Sequence, residues 1–277
     1  MRRCAVRVGA ALLAMLSLAA VPAAAEAQAT RALLDYQAYA AGLHILSVQA
    51  MVDIGPRNFE FDTRYQTTGL IGLFRRGHQL ATVHGAWRGA AAEPGEFLSE
   101  GVWQGEARRT LIGYDHGQPE LRALVPANPP DRSPVPAGLQ TGSKDVLSAI
   151  AELMRQAGRT GACDVSVRIF DGRTLNLVVA RSAGSVELAS GDRSTFAGRA
   201  LRCDFDGRVL AGLRRDESPD GARRLHGSIW LGRIWPGALP VPVRISVQTR
   251  WFGEATLYLT AAHALGAVGE APGGPHS

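Results

Sequence analysis

Two copies of the tetrad Phe-Asp-Gly-Arg, Phe170–Arg173 and Phe205–Arg208, stand between runs in which apolar and polar residues alternate. Alternation at period two is the pattern of a β-strand with one buried face. Asp-Gly between two such runs predicts a hairpin, because a type I′ turn needs positive φ at both central positions and this pair tolerates it. Val165, Val167 and Ile169 precede the first tetrad, and Leu175, Leu177 and Val179 follow it. Leu201, Cys203 and Phe205 lead through the second to Val209, Ala211 and Leu213. The stretch from Cys163 to Leu213 is therefore expected to form two β-hairpins at the centre of a β-rich domain.

The N-terminus reads as an export signal. Arg2, Arg3 and Arg7 precede an apolar run, Val8 to Val21, and small-x-small sites follow at Ala23–Ala25 and Ala27–Ala29. The run is shorter than the ~20 residues a membrane span needs. Cleavage is expected after residue 25, with 27 or 29 as alternative boundaries. Cys4 lies before the apolar run, so it cannot be the lipid-modified cysteine of a lipoprotein. An exported bacterial chain of this kind is expected in the periplasm, and no later apolar run is long enough to span a membrane. Three of the 30 basic residues and none of the 25 acidic ones leave with the signal, so the mature balance is 27 against 25. That near-neutral balance gives no support for nucleic-acid binding. The mature chain keeps two cysteines, Cys163 and Cys203. An oxidising compartment and an even count predict a structural disulfide between them. The basic residues are arginines with one exception, Lys144.

The rest of the chain repeats the β pattern. Even positions from Leu34 to Ile54 are apolar around a turn at Gly42, and Phe59 to Tyr65 continue the alternation. Gly69 to Arg76 has the spacing of one or two helical turns. Short strands are expected at 78–87, 97–104, 109–114 and 120–125, with Asp115-His116-Gly117 as a turn. Residues 126–142 hold five prolines and are expected to be neither helix nor central strand. The apolar stripe Val146, Leu147, Ile150, Leu153, Met154, Ala157 has helical period. It predicts one amphipathic helix lying flat on the sheet, with Ser143 as N-cap, Asp145 in the positive first turn and Gly158 at the end. Strands at 228–231 and 243–251 and a last strand after Gly253 complete a single domain over residues 30–265. Residues 266–277, rich in Gly, Pro and Ala, are expected to be a disordered tail.

No stretch carries a catalytic or cofactor signature. Gly138–Lys144 superficially resembles a phosphate loop, but has three residues between its glycines where the motif has four, and no apolar strand precedes it. His78 and His84 share a strand, yet a metal site needs a third ligand. Asp171, Asp206 and Asp220 each precede glycine, which turn chemistry explains. The five tryptophans can stack on sugars or fill the core; the core is the default. No catalytic, cofactor-binding or metal-binding residue is expected.

The Tyr36-x-x-Tyr39-x-x-Gly42 hairpin and the Gly69-Leu70 segment are shared with a known family. So are the helix opening Asp145-Val146-Leu147-Ser148-Ala149, the Phe-Asp-Gly-Arg turn, Cys203 in the next strand, and Pro240-x-Pro242-x-Arg244 before the Gly253 turn. By their order and spacing the chain resembles the domain of unknown function 3108 family of exported proteobacterial proteins, over roughly residues 34 to 260. The resemblance implies a mainly β fold: one strongly curved antiparallel sheet, a half-barrel similar to lipoprotein-carrier folds, with one amphipathic helix packed on it. That family has no established activity, so no functional residues carry over.

The expected function is a periplasmic, non-enzymatic binding or cell-envelope maintenance protein whose curved sheet holds an apolar ligand, a lipoprotein or a peptide. The alternative is an envelope-polymer hydrolase with a carboxylate site built from separate loops.

Overall fold

The computed structural model describes residues 30–69, 72, 76–217, 224–249 and 253–266. The export signal, the tail, Asp220, Trp251 and most of the Gly69–Arg76 segment lie outside them. Thirteen strands form one antiparallel sheet. In chain order they are β1 (Thr30–Ala40), β2 (Leu43–Ile54), β3 (Asn58–Thr67), β4 (Gly77–Arg88), β5 (Ala91–Trp103), β6 (Glu106–Asp115) and β7 (Gln118–Val125), then β8 (Val165–Phe170), β9 (Leu175–Leu188), β10 (Gly198–Ala211), β11 (Leu225–Gly232), β12 (Val241–Thr249) and β13 (Gly253–Ala264). Two helices, α1 (Ala137–Gln140) and α2 (Val146–Thr160), lie between β7 and β8.

Every strand pairs with its sequence neighbours except at one place. The order runs β7-β6-β5-β4-β3-β2-β1-β13-β12-β11-β10-β9-β8, so the first and last strands of the chain pair at the middle and β7 and β8 are the free edges. Thirteen is odd. In an all-antiparallel sheet with an odd strand count the two edges run in the same direction, so they cannot close on one another through an antiparallel ladder. The sheet accordingly stays open, and the β7–β8 connection travels across the seam. At one end of the seam the Arg173 guanidinium donates to the Pro126 carbonyl and to Asn128 Oδ1 at 3.0 Å, and Ser133 N donates to the Leu213 carbonyl at 3.0 Å. At the other, Gly142 N donates to the Gly117 carbonyl at 2.7 Å, while Lys144 exchanges two 2.9 Å backbone bonds with Arg168 and Phe170 of β8. The proline-rich segment is thus an ordered coil that satisfies edge groups, and only Ala137–Gln140 departs from the expectation of no helix.

The β1–β2 turn places Ala41 and Gly42 at φ +48° and +80°, the I′ signature. The first Phe-Asp-Gly-Arg tetrad is a turn, though not of that type. Asp171 Oδ1 accepts from Arg173 N at 2.8 Å and Thr174 N, Oδ2 accepts from Thr174 Oγ1 at 2.9 Å, and only Gly172 has positive φ, +88°. This is an aspartate-closed four-residue loop. The second tetrad overturns the expectation: Asp206 and Gly207 lie inside β10, which runs unbroken through Gly198–Ala211. The alternation Leu201, Cys203, Phe205, Val209 keeps one phase across the glycine, so the ladder continues. Gly207 pairs with Leu225 and Val178 on either side.

The core fills one end of this near-barrel. Leu34, Ile54, Phe59, Val83, Ile112 and Leu259 are fully buried there with Met154 and Ala151 of α2. The helix packs on β4, β5 and β8. Arg155 donates to the Gly89 and Pro56 carbonyls at 3.3 and 3.4 Å and sits 4.2 Å from the Trp87 ring centroid. The N-cap is Asp145, not Ser143; it accepts from Ser148 N at 2.9 Å and Ser148 Oγ at 2.6 Å. The helix passes through Gly158 to a left-handed cap at Gly161, φ +70°, whose N–H bonds Ala157 O. Cys163 and Cys203 form a disulfide, with Cα atoms 6.0 Å apart.

Candidate functional site

The inward face changes character along the strands. Near α2, β3 to β6 contribute Phe59, Phe61, Val83, Phe97 and Ile112. Toward the opposite end the same inward positions become Tyr65, Gln79, Ser99, Trp103, Arg108 and Thr110, which with Val125 and Arg173 line a chamber of about 340 Å³. Cross-strand register aligns them: Tyr65 opposes Gln79, Ser99 opposes Thr110, and Gly101 opposes Arg108. Tyr65 Oη donates to Gln79 Oε1, and the Gln79 amide donates to Ser99 Oγ, forming a relay across three strands. A Cβ on Gly77 would fall 2.3 Å from the Trp103 ring, so glycine is needed for the indole to lie over β4.

The chamber is cationic. Arg108 reaches Glu106 at 3.2 Å through one terminal nitrogen, while its Nε is buried without a hydrogen-bond partner among the described residues. Burial pulls the Arg173 guanidinium below its ordinary value; Asp171 opposes this, and the nearby Arg108 and Arg132 reinforce it. Burial pushes the Tyr65 phenol up. Among the described residues no carboxylate lines the chamber. Four large aliphatic side chains near strand ends on the mouth side, Leu43, Val125, Leu210 and Leu225, are 38–48% exposed, and of these Val125 lines the chamber. A polar, positively charged chamber inside an apolar rim suits a molecule with an anionic head and an apolar tail.

The residues weighed in the sequence fall elsewhere. His78 and His84 both lie on β4, six residues apart, and no group of three metal-ligating side chains occurs among the described residues. Asp171 is spent on its turn. Asp206 is not a turn residue; its carboxylate meets His226 Nδ1 at 2.8 Å on the surface. Trp87 packs on Phe59 with centroids 4.8 Å apart, Trp235 packs against the core, and Trp230 is a half-buried ring beside the Arg202 and Arg244 guanidiniums. Of the four described tryptophans, Trp103 alone lines the chamber. Gln79, Ser99 and Arg108 carry no motif in the sequence. Their one signal is a polar residue at an inward phase of an otherwise apolar alternation.

The fold is thus a mainly β, barrel-like open sheet of thirteen strands. No protein-family model matches the chain, and a search of curated proteins finds no match. Among solved structures it is similar to the crystal structure of a beta-barrel-like protein of domain of unknown function DUF1849 from Brucella abortus. That likeness covers 87% of this chain and 99% of that one, at 10% identity and a TM-score of 0.49. No helix among the described residues is long and apolar enough to cross a membrane.

Proposed function

We propose that this is an exported, periplasmic, non-enzymatic binding or envelope-maintenance protein whose open mouth receives an amphiphile. The ligand presents an acidic head to Arg108 and the Tyr65–Gln79–Ser99 relay, and its acyl portion, free or on a lipoprotein, rests on the aliphatic rim. The observation that carries this reading is the conversion of inward positions from apolar to polar on the same strands. Interior polar groups cost stability unless they are used, and the core beside α2 is already complete without them. An entirely apolar ligand fits the mouth less well, because the β3–β6 wall offers it guanidinium, amide and hydroxyl.

The test is calorimetric titration of delipidated mature protein with dodecyl phosphate and with dodecyl maltoside, repeated on Arg108→Ala and Gln79→Ala. Saturable binding of the phosphate, weakened tenfold or more by either variant, is expected. Binding of neither amphiphile sinks the reading. Equal binding of both, unchanged in Arg108→Ala, removes the acidic head from it.

A further inference from the structure

The outer face of the sheet carries one continuous transverse row of side chains. Arg202, Trp230, Arg244 and Tyr258 are successive register partners across β10, β11, β12 and β13. The Arg202 guanidinium lies 5.5 Å from the Trp230 ring, and that of Arg244 lies 5.4 Å from Trp230 and 5.2 Å from Tyr258. The row does not stop there. Tyr258 opposes Gln37, which opposes Ser47; Ser47 opposes Gln66, and Gln66 opposes His78. This second half lines a groove of about 640 Å³ together with Asp35, Gln49, Arg64 and Thr260, and Tyr65 and Gln79 border it between the two rows.

Three properties of the row select its occupant. Its repeat is the inter-strand spacing, ~4.8 Å, close to the length of one pyranose unit. Its side chains are planar amides, guanidinium and carboxylate, each presenting paired donors or acceptors at the separation of two neighbouring sugar hydroxyls. Its charges are partly paired and partly stacked: Arg202 pairs with Asp204 at 2.8 Å, Arg64 approaches Asp62 at 3.5 Å and Gln49 donates to Asp35 at 2.9 Å, while Arg244 and Arg193 lie against aromatic rings with no carboxylate partner among the described residues. A site for a polyanion would leave Arg202 and Arg64 unopposed as well. The arginine–aromatic ladder holds the guanidiniums upright before any ligand arrives, which lowers the ordering cost of binding. Tyr39 extends the same surface: its hydroxyl donates to Gln37 Oε1 at 2.7 Å, and Arg193 lies 4.7 Å from its ring.

We propose that this transverse groove binds an extended, linear, β-linked polysaccharide strand, running across the strands from β4 toward β10. Its polar side chains lie at the opposite strand phase from those of the mouth chamber, although Tyr65 and Gln79 border both. The protein would then attach to an envelope polymer on its outside while holding an amphiphile within.

The experiment titrates the full mature protein with cellohexaose and chitohexaose, with polygalacturonate and single-stranded DNA as controls. Gln66→Ala, Arg64→Ala and Trp230→Ala are measured beside it, with thermal melts to confirm that each variant is folded. The expected result is saturable binding of at least one hexasaccharide, little changed by salt and weakened fivefold or more in a folded groove variant. Absence of hexasaccharide binding at millimolar concentration overturns the proposal. Binding confined to polygalacturonate or DNA, and lost as salt rises, overturns it too and makes the row an electrostatic surface. Arg108→Ala, which empties the mouth reading, leaves hexasaccharide binding unchanged.

Discussion

The Lys144 ammonium donates to the Glu152 carboxylate, and both residues bind Ala92: Lys144 Nζ donates to its carbonyl at 3.1 Å and Glu152 Oε2 accepts from its amide at 2.7 Å. The pair is almost out of solvent, with side chains 9% and 15% exposed. It locks the first two turns of α2 to the start of β5. The chain uses arginine at every other basic position, and this is where a guanidinium does not serve. A compact ammonium can aim separate donors at a carbonyl and a carboxylate in a tight space, and a rigid planar fork cannot.

Removing one partner leaves a buried charge uncompensated. Glu152→Gln and Lys144→Ala are each expected to lower unfolding stability by about 3–5 kcal/mol, and Lys144→Arg to be destabilising although it keeps the charge. The double change Lys144→Met/Glu152→Leu should regain most of the loss, since apolar residues of similar volume replace buried pairs well. Denaturant melts of the four variants decide the matter. A double variant no better than the singles would show that the bonds to Ala92, not the charge pair, hold the helix.

Cys163 and Cys203 are 40 residues apart in sequence and tie the segment after α2 to β10. Closing a loop of that length stabilises by about 4 kcal/mol in the chain-entropy model. Reduction should lower the melting temperature and leave the far-ultraviolet dichroism that of a β protein. An unchanged melting temperature, with both thiols labelled in the unreduced native protein, would mean that the bond does not form.

Burial raises the Asp145 carboxyl above its ordinary value, while hydrogen bonds from Ser148 pull the other way. A carboxyl whose folded pKa is raised contributes stability that is fully present below its unfolded value and is lost as the pH rises through the folded one. Asn keeps the capping oxygen without the titration. The melting-temperature gap between Asp145→Asn and the wild type should therefore move in the variant's favour as pH rises from about 3 toward neutrality. A gap that is constant, or that moves the other way, counts against a buried, titrating cap.

The two tetrads make opposite predictions for the same substitution. Gly172 has φ +88°, and a Cβ there would lie 3.0 Å from Thr110 Cγ2 and 3.1 Å from Leu121 Cδ1 across the seam. Gly172→Ala should cost about 1–3 kcal/mol in strain and contact. Gly207 sits in extended backbone open to any residue, and its Cβ would meet only the Leu225 and Val178 side chains, at 3.0 Å or more. Gly207→Ala should cost less, with guanidinium melts giving the comparison. Equal losses would remove the distinction between a turn and a strand.

Much of the architecture was legible in the sequence. Period-two alternation located β1 to β4, β8, β9 and β11 to β13 because one-sided burial imposes it locally. The helix stripe was legible for the same reason, though its caps shifted: Asp145 competes with Ser143 for the cap role, and burial of Ser148 beside it favours Asp145. The second tetrad misled because Asp-Gly signals a turn only where the alternation breaks phase, and there it does not. The chamber was nearly illegible. Gln79, Ser99 and Arg108 look like ordinary polar members of half-buried strands until register sets them side by side.

By itself the sequence determined which residues alternate, where short-range turns such as Ala41–Gly42 and Asp171–Thr174 form, and that one helix interrupts the strands. These depend on φ/ψ preference and on side-chain phase along a few residues. Tertiary structure alone decided that β1 pairs with β13 and that an odd strand count leaves a seam for the proline-rich segment. It also brought Tyr65, Gln79, Ser99 and Arg108 to one wall, and Arg202 through His78 into one outer row. Those relationships are set by cross-strand register between segments distant in the chain. Register follows from burying every strand's apolar face in a common core, a condition no local stretch of residues can express.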